Sequence, residues 1–94
     1  MDILAKHYYA HANMRFETFK EWPMYHHPRP YDLAVAGFIY RGTGDAVQCF
    51  SCHCKIKDWK RDSDPWVEHK KKSPNCDYLE VAQWDIDHYY ETAL

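Results

Sequence analysis

The sequence predicts a small α+β domain, with three short strands and short helices on either side of them. Three observations predict it. Three apolar segments of a few residues each are separated by a glycine turn, Arg41-Gly42-Thr43-Gly44-Asp45, and a cysteine-rich turn, Cys52-His53-Cys54. Helix signals stand before and after these segments. The chain has 94 residues, a length that suits one domain. A chain this short buries roughly 60–65% of the surface its unfolded form exposes. Such a core is marginal, and small domains often add a disulfide, a metal or a partner.

The elements follow in order. Residues from His11 to Lys20 read as a helix stopped before Pro23, and Tyr25 to Pro30, with two His and two Pro, reads as loop. Tyr31 to Ala36 reads as a helix closed by Gly37, since glycine suits the left-handed position after a helix. Phe38-Ile39-Tyr40 is a strand, the glycine turn reverses the chain, and Ala46 to Phe50 is the return strand. Lys55 to Trp59 alternates polar and apolar residues, as a third strand with one buried face does. Asp64-Pro65 opens a helix, because Asp is favoured at N-cap and Pro at N1. It carries Trp66 and His69 and ends near Ser73-Pro74. From Asp77 a last helix can run on, with Leu79, Ala82, Ile86, Tyr89 and Ala93 on one face, packed on the domain or on a second copy.

Composition narrows the function. Apolar residues make up 46% and aromatics 17%, too many for a disordered tail. The longest uncharged apolar run, Leu33 to Tyr40, is far short of the ~20 residues of a membrane span. The N-terminal residues hold no long apolar stretch, so no signal peptide is expected. A net charge of −2 argues against a general nucleic-acid binder.

The cysteines carry the chemistry. Three of the four, Cys49, Cys52 and Cys54, crowd together, and Cys76 follows. A Cys52–Cys54 bridge would be strained and a Cys49–Cys52 bridge would staple almost nothing, so a metal is the better reading. Cys49-x2-Cys52 places two thiolates on one tight turn, where both reach a tetrahedral zinc. Sixteen residues then precede His69 and six more precede Cys76. The set is Cys-x2-Cys-x16-His-x6-Cys, with ligand types that suit one structural Zn²⁺. Cys54 is a rival for Cys52, though its x4 spacing needs a looser loop. His53 reads as a solvated turn residue, and His26 and His27 as loop residues.

These motifs resemble the baculovirus IAP repeat, the BIR domain of inhibitor-of-apoptosis proteins. The resemblance rests on Arg15-Phe16-Glu17-Thr18-Phe19 with Trp22-Pro23, on Leu33-Ala34-Val35-Ala36-Gly37-Phe38, and on Gly44 through Cys52. Asp58-Trp59, Asp64-Pro65-Trp66, Glu68-His69 and Ser73-Pro74-Asn75-Cys76 complete it. It implies a BIR-like zinc domain over 14–79, between a flank at 1–13 and a helical extension at 80–94. It implies a three-stranded antiparallel sheet ringed by short helices. It also implies an inward Arg15 tying the first helix to the sheet.

The resemblance further implies capture of partners with an exposed N-terminal Ala, by strand addition beside the third strand. Ile56, Lys57 and Asp58 would be the edge strand, Trp59 would wall a slot for the methyl group, and Glu68 would meet the ammonium. Ser63 stands where the best binders carry an acid, Lys72 where they carry an aromatic, and Lys55 where they often carry glycine. The run Lys70-Lys71-Lys72 with Lys55 and Lys57 reads as a solvated basic face that could steer an acidic partner.

The expected function is therefore a cytoplasmic, non-enzymatic module that suppresses cell death by binding pro-apoptotic proteins, caspases among them, with the nucleus as a second compartment. The alternatives are a single-repeat chromatin or cell-division adaptor and a scaffold that binds folded partners without a peptide groove. A short single repeat of this kind suits a small viral or invertebrate protein, or a piece of a longer one.

Overall fold

The computed structural model describes residues 8–82. The elements run α1 (Ala12–Glu17), α2 (Pro30–Val35), β1 (Phe38–Tyr40), β2 (Val47–Cys49), β3 (Lys55–Ile56) and α3 (Pro65–Lys72). A further helix, α4, covers 77–82. The strands form one antiparallel sheet in the order β1-β2-β3. This is the α+β architecture the sequence predicts. The last predicted helix is present where it is described; Ile86, Tyr89, Ala93, and the proposed contact with a second copy, lie outside the described residues.

Local chemistry explains most boundaries. α2 starts with Pro30 in its first turn and is followed by Gly37 at φ 102°. A Cβ at Gly37 would sit 2.8 Å from Cδ2 of Tyr78, so both backbone angle and space require glycine there. α1 is shorter than predicted. Thr18 donates to the Arg15 carbonyl at 2.6 Å and accepts from the Tyr40 amide at 2.9 Å. Its hydroxyl thus ends the helix and ties it to β1. Phe38 pairs with Cys49, Tyr40 with Val47, and Val47 with Ile56. The buried core gathers Phe19, Trp22, Leu33, Phe38, Tyr40, Val47 and Phe50. Phe19 stacks on Tyr40 at 5.8 Å and Trp22 meets the same ring edge-on at 5.1 Å.

Arg15 is 1% exposed. Its guanidinium donates to the carbonyls of Ala34 (2.7 Å), Tyr9 (2.9 Å) and Ala10 (3.1 Å) and to the Tyr78 hydroxyl (3.0 Å). It also lies over the rings of Phe50 and Tyr78. Four oxygens and two ring faces replace the water a buried cation loses. The bonds tie α1 to α2 and α4; the link toward the sheet is the Phe50 ring.

The third strand departs from expectation. It ends at Ile56 rather than Trp59, because Asp58 turns into the left-handed region at φ 61°. The Asp45 carboxylate sets this turn by accepting from the amides of Asp58 (2.9 Å) and Trp59 (2.8 Å).

Candidate metal centre and binding groove

α3 positions two side chains of different use. Its N-cap, Asp64, accepts from the amides of Trp66 and Val67, which fixes where the helix begins. Five residues on from that cap, His69 points inward and is fully buried. Its Nδ1–H donates to the Ala36 carbonyl at 2.8 Å. That bond leaves the Nε2 lone pair free, the arrangement a metal-binding imidazole needs.

The sulfurs of Cys49, Cys52 and Cys76 and the ring nitrogen of His69 all lie within 4.8 Å of one another. A tetrahedral zinc with bonds of ~2.3 Å to sulfur separates its sulfurs by about 3.8 Å. Here Cys49 Sγ and Cys76 Sγ are 3.8 Å apart, and Cys52 Sγ is 3.6 Å from His69 Nε2. The amides of Ser51 and Cys52 point at Cys49 Sγ, at 3.3 and 3.5 Å. Burial, with Cys76 and Cys52 close by, pushes the Cys49 thiol well up. Burial acts the same way on Cys52, but the Ser73 hydroxyl, the Cys54 amide and His69 outweigh it and bring that thiol down to about 6. Sulfurs packed and buried this closely ionise together only with a cation among them. The donor set, its spacing and the orientation of His69 all fit Zn²⁺. Cys54 is outside the cluster; burial and the neighbouring Cys52 raise its thiol to about 12.

A groove of about 610 Å³ runs between β3 and α3, walled by Lys55, Ile56 and Lys57 on one side and Glu68, Lys71 and Lys72 on the other. β3 is an edge strand of the sheet. Glu68 is half-buried and lies 3.7 Å from Lys71. The groove walls include Ile56, Lys57, Glu68 and Lys72, and Asp58, Trp59 and Ser63 are not among them. Trp59 is buried in the core, edge-on to Phe38 at 5.8 Å, and its indole N–H has no partner among the described residues. Asp58 has its amide engaged by Asp45. Ser63 accepts the Lys60 amide at 2.9 Å and lines a separate depression with Tyr31, Asp32 and Trp66.

Asp45 does more than close the β1–β2 turn. Besides the two amides it meets His26 Nε2 at 3.0 Å. Burial alone would raise its pKa; the amides of Asp58 and Trp59 and the His26 ring win and hold it below the usual aspartate value. The partners lie 13, 14 and 19 residues away in sequence, so no local signal could have exposed this role.

The family model of the Inhibitor of Apoptosis domain, BIR, matches residues 15–80. Baculoviral IAP repeat-containing protein 1f of Mus musculus is 40% identical over 88 residues, covering 85% of this chain and 6% of that protein. E3 ubiquitin-protein ligase IAP-3 of Orgyia pseudotsugata multicapsid polyhedrosis virus is 44% identical over 71 residues, 76% of this chain and 26% of that protein. The chain therefore spans only a small part of these relatives. A solved structure of the autoinhibited dIAP1-BIR1 domain superposes with a TM-score of 0.68 at 35% identity, covering 73% of this chain and 70% of that one. No helix among the described residues is long and apolar enough to cross a membrane. On fold, donor set and sequence together, the chain belongs to the BIR domains of the inhibitor-of-apoptosis family.

Proposed function

We propose that the chain is a zinc-held protein-interaction module that binds pro-apoptotic proteins through extended segments laid along β3. Cys49, Cys52, His69 and Cys76 would hold one Zn²⁺, whose chemistry is structural: with all four positions filled by side chains, no water is left to activate. The module is accordingly a binder and not an enzyme. The ion would tie the β2–β3 turn to α3 and so fix the two walls of the groove.

The observation that carries this reading is the groove itself, a free strand edge facing Glu68 across an apolar Ile56. An added strand would take its main-chain bonds from β3. A terminal ammonium would displace Lys71 from Glu68 and gain a charge-assisted hydrogen bond. Partners with an exposed N-terminal Ala fit that requirement, and caspases are the second class the family suggests. The test is calorimetric titration with Ala-initiated tetrapeptides beside their N-acetylated forms. The free amine should bind clearly more tightly; equal binding, or none at millimolar concentration, rejects the groove reading. The burial of Trp59 and the separate place of Ser63 favour the second reading, a scaffold that docks folded partners on another face.

A further inference from the structure

A second cavity, of about 360 Å³, lies away from the groove and is lined by Tyr25, His26, His27, Arg29 and Arg61. Its walls are two loops, one before α2 and one after β3. Tyr25, His27, Arg29 and Arg61 can each donate a hydrogen bond into it, His26 has its Nε2–H on Asp45, and none of the five is a carboxylate. We propose that this cavity is a binding site for a phosphate monoester.

The two walls are clamped before any ligand arrives. Asp45 takes the amides of Asp58 and Trp59 from one loop and His26 from the other. His26 is further held by its ring against Trp22 at 5.4 Å, and its carbonyl accepts from the Trp22 indole at 3.3 Å. Arg29 is braced by a bond from Nη1 to the Met24 carbonyl at 3.1 Å, and the rest of its fork has no hydrogen bond or ion pair among the described residues. His27 and Arg61 make no hydrogen bond or ion pair with the described residues. Asp45 is spent on its three partners, and Asp62, beside Arg61, lines a different depression. The Arg61 fork, with the part of Arg29 not bonded to Met24, suits an oxyanion that accepts from both arginines. Tyr25, 85% exposed at the rim, offers a ring to whatever carries the phosphate.

The experiment titrates the zinc-loaded protein with inorganic phosphate and with phenyl phosphate, following backbone amide NMR shifts. Saturable shifts at His26, His27 and Arg61 are expected, and Arg61→Ala should weaken binding about tenfold or more, as for hydrogen bonds to a charged group. Lys72→Ala, in the other groove, should leave it unchanged. Tighter binding of phenyl phosphate supports a monoester carried on a side chain of a partner; equal binding of inorganic phosphate would overturn the monoester, since the ester group then adds nothing. Shifts confined to Lys55, Lys57 and the lysines of α3, or equal affinity of Arg61→Ala with its melting temperature preserved, would overturn the site.

Discussion

Glu68 and His69 are neighbours on α3, yet they belong to regions of different kinds. His69 is fully buried, its ring fixed at Nδ1 by Ala36 and aimed at three sulfurs. Glu68 faces the groove with its side chain 38% exposed and a single weak lysine contact at 3.7 Å. One step along a helix turns a side chain by about 100°, enough to pass from core to solvent. The cluster is over-determined, because each donor is held by backbone bonds that the fold itself makes. The groove is permissive, because its walls are long lysines around a two-residue strand. Changes in the first region should therefore appear in stability and changes in the second in binding.

The largest effect should come from His69→Ala. Structural zinc supplies about 10–16 kcal/mol of apparent binding free energy in small zinc domains, against the ~5–15 kcal/mol that holds a typical domain folded. The variant should lose its cooperative thermal transition by circular dichroism. Arg15→Met comes next. It removes the bonds to the carbonyls of Ala34, Tyr9 and Ala10 and to the Tyr78 hydroxyl, and Ala34 keeps only the Gly37 amide. A loss of about 3 kcal/mol is expected, read from the urea midpoint of the zinc-loaded protein.

Asp45→Ala should cost about 2 kcal/mol near neutral pH, as when a capping carboxylate is removed. Its pKa is depressed in the fold. The contribution is therefore fully present above the ordinary aspartate range and lost as pH falls through the depressed value. Melting curves of parent and variant should converge in acid; a gap that widens there would contradict the hydrogen-bonded carboxylate. Glu68→Ala is the opposite case. Stability should stay within about 0.5 kcal/mol, while free-amine peptides lose roughly 1.5–3 kcal/mol of binding. A variant that melts early and binds normally would erase the distinction between the two regions.

The same division decides what could be read from the chain alone. Gly37, the Cys49-x2-Cys52 turn and the Asp64-Pro65 cap are local devices, and their sequence signals locate them correctly. The length of β3 is not local. Alternation from Lys55 to Trp59 suggests a full strand, but a carboxylate from the β1–β2 turn captures two of its amides and bends it away. That bend carries Trp59 into the core and takes the Asp58 amide out of the strand ladder. Ser63 escapes for a similar reason, since its hydroxyl closes the Lys60 turn. Asp45 engages the amides of Asp58 and Trp59 from 13 and 14 residues away, and Ser63 engages Lys60, so the partners of these residues are set by the fold and by one turn.

Zinc content tests the central claim most directly. The protein, and its Cys52→Ser and Cys54→Ser variants, would be purified in parallel, assayed for bound metal and melted with and without a chelator. The account predicts one zinc per chain in the parent and in Cys54→Ser, marked loss in Cys52→Ser, and collapse of the melting transition on chelation. Zinc lost from Cys54→Ser but kept by Cys52→Ser, or a melting curve indifferent to the chelator, would contradict it.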